Sequence, residues 1–172
     1  EVGHGRSSAE TAYDSGFNRV LAYVDGTDAV DQVVNSAIGI ATPDAVCHLL
    51  RVLPLASLYA TGRVGLSAGP DLRDEAWLQL FKARKKLEKH GLAAKSRLIF
   101  EGQTAGPAII DQARAMQAQL IVVAARRHLL PWWLRDGVAE YVVRHANVPV
   151  LIVPEGNLIP QRKIDHVDIH FN

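Results

Sequence analysis

Apolar residues fall along the chain in two rhythms, short unbroken runs and a three-to-four spacing, and the two alternate. Leu120, Ile121, Val122 and Val123 form one unbroken run, as a parallel strand covered on both faces does. Val148, Val150, Leu151, Ile152 and Val153 make a second. Between them lie a polar loop holding Arg126 and Arg127, then Asp136 and Gly137, which open a helix over 138–145. Strand, crossover helix and strand within about 35 residues make one βαβ unit. The pattern repeats upstream. Residues 17–24 read as a strand, closed by the turn signal Asp25-Gly26-Thr27. Helical spacing follows over 29–41, with Pro43 ending it. A second strand, 46–53, stops at Pro54.

A long connection over 55–70, with Gly62, Gly65 and Gly69, leads to a charged helix over 72–90. Its spacing puts Trp77, Leu80, Phe81, Arg84 and Leu87 on one side, with Lys82, Lys85, Lys86 and Lys89 largely opposite and Gly91 as C-cap. Residues 95–100 form a third strand, and 104–117 a helix with Pro107 in its first turn. Five strands alternating with four helices predict an α/β fold, a three-layer open parallel sheet. In such sheets ligands sit at the carboxyl ends of strands, beside helix N-termini. The flanks read differently. Residues 1–16 are small and polar, a flexible lead-in to a domain over 17–154. In the tail, 155–172, Val167, Ile169 and Phe171 alternate with His166, Asp168 and His170, which predicts a short strand for a sheet edge of this chain or a partner.

Composition narrows the classes. A net charge of +1 gives no electrostatic case for nucleic acid. The single Cys47 excludes an internal disulfide and fits a reducing cytoplasm. No apolar run approaches the roughly 20 residues of a membrane span, and no signal peptide is evident. The chain begins at Glu1 and so reads as a processed chain, an expressed piece or a domain cut from something longer.

Catalytic motifs are missing: there is no G-x-S-x-G elbow, no Walker lysine loop, no Cys-x-x-Cys and no dinucleotide fingerprint after the first strand. His166, Asp168 and His170 would share one face of a strand. They would span about 13 Å, too far for all three to reach one ion, so no metal site is expected. His128 and His145 read as surface or helix-end residues, and Cys47 as a small core residue. Trp132 and Trp133 read as buried or as a dimer contact.

Specific residues then carry a resemblance. VLAYVDGTDA (20–29), HLLRVLP (48–54), RLIFEGQTAGPAIIDQA (97–113), LIVVAARR (120–127) and GVAEYVVRHANVPVLIVP (137–154) resemble the universal stress protein family. The resemblance implies a sheet of order 3-2-1-4-5, Rossmann-like and of the adenine nucleotide alpha hydrolase type. It implies homodimers, often joined through the last strand, here Val148 to Val153, to which the C-terminal tail could add. One branch of the family binds ATP and the other does not.

In the ATP branch the loop after the fourth strand reads G-x-x-G-x9-G-[S/T]. Glycines there let backbone N–H groups close on phosphate oxygens beside a positive helix end. Here Ala124 and Arg127 stand at the first two glycines, Asp136 at the third and Gly137 at the Ser/Thr position. Eight residues, 128–135, separate Arg127 from Asp136, one fewer than the pattern. Asp136 is expected to put a carboxylate at the helix N-cap, which suits the helix and repels phosphate.

By the same resemblance Asp25 matches an acidic residue that touches adenosine, and Val52 a residue lining the adenine pocket. Arg126 and Arg127 could hold phosphates with side chains instead of backbone. The candidate ligand residues are therefore Asp25, Val52, Arg126, Arg127 and Gly137, with no catalytic residue. The expectation is a non-enzymatic stress-response or signalling protein, cytoplasmic and homodimeric, without ATP in the family mode and without membrane insertion or nucleic acid. AMP and ATP stay as disfavoured ligands. The alternatives are a cytosolic regulatory domain of a larger, transporter-type protein, or a nucleotide or small-anion sensor using Asp25 and the Arg126-Arg127 loop.

Overall fold

The computed structural model describes residues 16–54, 72–101, 104–125 and 137–154. In chain order the elements are β1 (Phe17–Tyr23), α1 (Val30–Ile40), β2 (Ala41–Pro54), α2 (Leu72–Lys89), β3 (Ala93–Glu101), α3 (Ala105–Ala115), β4 (Leu120–Ala125), α4 (Val138–His145) and β5 (Val150–Pro154). The strands form one sheet of order β3-β2-β1-β4-β5, and every neighbouring pair is parallel. The expected fold class and strand order are therefore observed. The lead-in and the C-terminal tail lie outside the described residues.

Strand alternation splits the core into two layers. On one face Val20, Ala22, Val24, Cys47, Leu49 and Val122 meet Val33, Val34 and Ala37 of α1 and Leu80, Ala83 and Leu87 of α2. On the other, Leu21, Leu50, Val52, Ile121 and Val123 meet Ile109 and Ile110 of α3 and Ala139 and Val142 of α4. The apolar run Leu120 to Val123 is buried at all four positions, because β4 is covered on both sides. No charged or polar residue is buried among the described residues.

Two expectations are corrected. β2 begins at Ala41, directly after α1, and includes Pro43, which was expected to stand between helix and strand. The register explains this. Phe17 pairs with Ala41 and Arg19 with Val46, so several β2 residues oppose Asn18 alone. At such a bulge a proline costs no ladder hydrogen bond. Thr42 Oγ1 donates to Asn18 Oδ1 across the irregularity.

The second correction concerns α2. Its buried seam is Ala76, Leu80, Ala83 and Leu87. Trp77 and Phe81 are turned outward, 41% and 56% exposed. The two alanines allow the helix close to the sheet, and the 4-3-4 spacing of the seam rotates the aromatic residues away. Lys86 Nζ donates to Asp31 Oδ1 at 2.7 Å, tying α2 to α1.

Candidate functional site

β1 lies between β2 and β4, so the segments leaving those three strands meet at one end of the sheet. This end carries the turn with Asp25, the last residues of β2 with Val52, and the N-terminus of α4 at Gly137. Arg126 and Arg127, which follow β4, lie outside the described residues, as do Trp132 and Trp133.

The turn after β1 is built from its own side chains. Thr27 donates to Asp25 Oδ1 twice, from its backbone N–H at 2.9 Å and from Oγ1 at 2.7 Å. Thr27 Oγ1 in turn accepts from the Ala29 N–H at 3.2 Å, where α1 begins. This is an Asx turn passing its bond to the helix start through a threonine. Asp25 is half-buried, and its Oδ2 has no partner among the described residues. That oxygen can accept a hydrogen bond from a ligand hydroxyl or amine.

Arg51 joins this turn, and sequence reasoning missed it. Its Nη1 donates to the Val24 carbonyl at 3.1 Å. Its guanidinium lies across Gly26, where an added β-carbon would sit 2.3 Å from Nη2 and 2.6 Å from Nη1. Gly26 also has φ +84°, a region that glycine alone enters without strain. The turn therefore requires glycine twice over. Arg51 Nε is buried without a hydrogen-bond partner. The available signal was one charge set inside the apolar run 46–53.

Val52 is buried in the layer under α3 and α4, packed in the same cluster as Leu50 and Tyr23. It thus shapes the sheet end as a core residue. Gly137 is the N-cap of α4, with extended backbone at φ −90°, ψ 159° and no side-chain cap. The cap was expected at Asp136, which lies outside the described residues. Among the described residues the carboxylate at this helix start is that of Glu140. A β-carbon on Gly137 would lie 2.2 Å from Glu140 Oε2, so the side chain folds back over the first turn, where the helix dipole favours it.

Gly137 and Glu140 line a cavity of about 350 Å³ with Thr104, Gly106, Tyr141 and Arg144. Tyr141 lies against Gly106, where a β-carbon would be 2.5 Å from its ring, and stacks on His145 with centroids 4.0 Å apart. His145 is exposed at the helix end, its Nδ1 2.8 Å from the Tyr141 carbonyl oxygen, as a helix-end histidine should be. Cys47 is a core residue; burial pushes its thiol up to about 11, which keeps it from forming a thiolate. No cluster of three or more metal-ligating side chains occurs among the described residues.

Comparison with known proteins places this geometry. The model of the universal stress protein family matches residues 16–154. The hypothetical protein MJ0577, whose biochemical function was assigned from its structure, superposes with a TM-score of 0.67 at 20% identity, covering 81% of this chain and 97% of that one. A universal stress protein in complex with cAMP gives 0.58 at 20% identity, covering 83% and 100%. A universal stress protein family protein from Arabidopsis thaliana with AMP bound gives 0.56 at 14% identity, covering 81% and 92%.

Proposed function

The chain belongs to the universal stress protein family, and from that premise we propose that it is a non-enzymatic stress-response or signalling protein that does not bind ATP in the family mode. The sequence of the β4–α4 connection carries this reading. Ala124, Arg127 and Asp136 replace its three glycines, Gly137 replaces the hydroxyl residue, and the span is one residue short. Each change removes a backbone N–H approach or a hydroxyl from the phosphates, or sets a carboxylate near them. Losing about 1.4 kcal/mol costs tenfold in affinity, so a few lost contacts suffice to abolish micromolar binding.

The adenosine end supports a second reading, a small adenine ligand with fewer phosphates. Asp25 is held in place by Thr27 with Oδ2 to spare among the described residues, in a turn that the Arg51 guanidinium also holds through Val24. Two of the similar structures are described with monophosphates, cAMP and AMP. Arg126 and Arg127 would then meet the single phosphate as side-chain donors.

Partner binding in this proposal goes through the sheet edge. β5 pairs only with β4 among the described strands; Ile152 on it is 46% exposed, and Val143 of α4 is 48% exposed. An open apolar edge of this kind suits a homodimer with the strands of two copies side by side. We place the protein in the cytoplasm; no helix among the described residues is long and apolar enough to cross a membrane. Native mass spectrometry of the protein as purified tests the proposal. It should give a dimer mass with no triphosphate attached. A dimer carrying ATP would overturn the reading.

A further inference from the structure

The helices leave part of one sheet face bare, and the residues there are not those of a solvated edge alone. On that face α3 and α4 pack over β1, β2, β4 and β5 and reach Ile99 of β3, while Lys95 and Arg97 of β3 stay exposed. In register, His48 pairs with Lys95 and Leu50 with Arg97, so the three basic side chains share one patch across two adjacent strands. A cavity of about 370 Å³ opens here against the C-terminal half of α3, floored by Leu21 and Leu50 and closed by Met116. No acidic residue lines it among the described residues.

Among the described residues no carboxylate pairs with the charges in this groove. Among the described residues Arg97 bonds a neutral group, Nη1 donating to Gln112 Oε1 at 2.7 Å. Burial and then the Lys95 charge hold the His48 imidazole below its usual range, as in a site where positive charge accumulates. The nearest carboxylate on α3, Asp111, faces Arg114 at 3.7 Å.

We propose that this groove is a second ligand site, taking a small molecule that joins a phosphate or carboxylate group to an apolar portion. The anionic group sits among His48, Lys95 and Arg97; the apolar portion lies on Leu21 and Leu50 under Met116. The site is separate from the Asp25 turn. It lies at the C-terminal end of α3, whereas Thr104 and Gly106 at the other end of that helix line the cavity beside α4. It does not depend on whether the Asp25 end binds a nucleotide.

The test follows the His48 imidazole by NMR, assigned with the H48Q variant, while phenyl phosphate, benzoate, inorganic phosphate and benzyl alcohol are titrated at constant ionic strength. Phenyl phosphate or benzoate should shift His48 saturably and raise its titration midpoint, and whichever binds tighter fixes the anionic group. Inorganic phosphate should bind at least about tenfold more weakly, and benzyl alcohol should leave the resonance in place. K95Q/R97Q should weaken binding at least about tenfold, while D25N should leave it unchanged. Both altered groups of the double variant are exposed, so its fold is kept, and its unchanged amide spectrum verifies that. The proposal fails if His48 does not respond to either aromatic anion. It fails equally if the response never saturates and matches inorganic phosphate, which is an adventitious ion only, or if K95Q/R97Q binds as the parent does.

Discussion

The turn into α1 and the start of α4, described from Gly137 on, lie at one end of the sheet, and they are held in different ways. The first is locked by its own residues: Asp25 accepts twice from Thr27, Thr27 accepts from Ala29, and Arg51 holds the Val24 carbonyl while lying over Gly26. The second has a glycine N-cap without a side-chain cap and a Glu140 carboxylate folded over it. In the family's ATP branch the first turn meets adenosine and the second meets phosphate. On the proposed reading, the first turn keeps its place beside adenosine, while the substituted glycines of the second connection give up the phosphates.

Substitutions at the two glycines break the comparison most sharply. Gly26→Ala must hold an L-residue at φ +84° and push aside the Arg51 guanidinium. It should cost about 2 kcal/mol or more, read as a lower urea midpoint at unchanged slope. Gly137→Ala, at φ −90°, displaces only the end of the flexible Glu140 side chain. Its cost should stay within about 0.5 kcal/mol, an ordinary surface value. Equal costs would mean that the turns are not built differently. Next in size is Thr27→Val, which removes the hydroxyl bonds to Asp25 and Ala29. About 1 kcal/mol of stability should go with them.

The smallest effect separates this end of the sheet from the basic groove. Burial and Lys95 lower the folded-state His48 below its ordinary value near 6.5. The unfolded chain therefore takes up that proton first as the pH falls. Stability should decline as pH drops from about 6.5 toward the lower folded-state value, then level off below it. His48→Gln should flatten that part of the profile, measured by urea midpoints between pH 7 and 5. An unchanged profile would place the titration elsewhere.

The sheet was legible from the chain because parallel strands buried on both faces leave runs such as Leu120 to Val123, and because helical spacing separates them. What stayed hidden depends on contacts. The early start of β2 rests on a bulge opposite Asn18, which no local pattern announces. The exposed Trp77 and Phe81 show that alanines, not the largest apolar residues, can choose a helix's buried face. Asp25 stood out by the residues around it, whereas Arg51 acts through a carbonyl and a glycine in the turn after the neighbouring strand, a role that register and rotamer decide. The N-cap of α4 fell at Gly137 rather than Asp136, and the Glu140 carboxylate folded over that cap is a contact no local pattern announces.

Isothermal calorimetry of adenosine, AMP and Mg·ATP on the unmodified protein, run side by side, tests the retained-and-lost pairing most directly. Adding phosphates should not tighten binding: ATP should bind no better than AMP and show no micromolar isotherm. Micromolar ATP binding, tighter than AMP by tenfold or more, would contradict it.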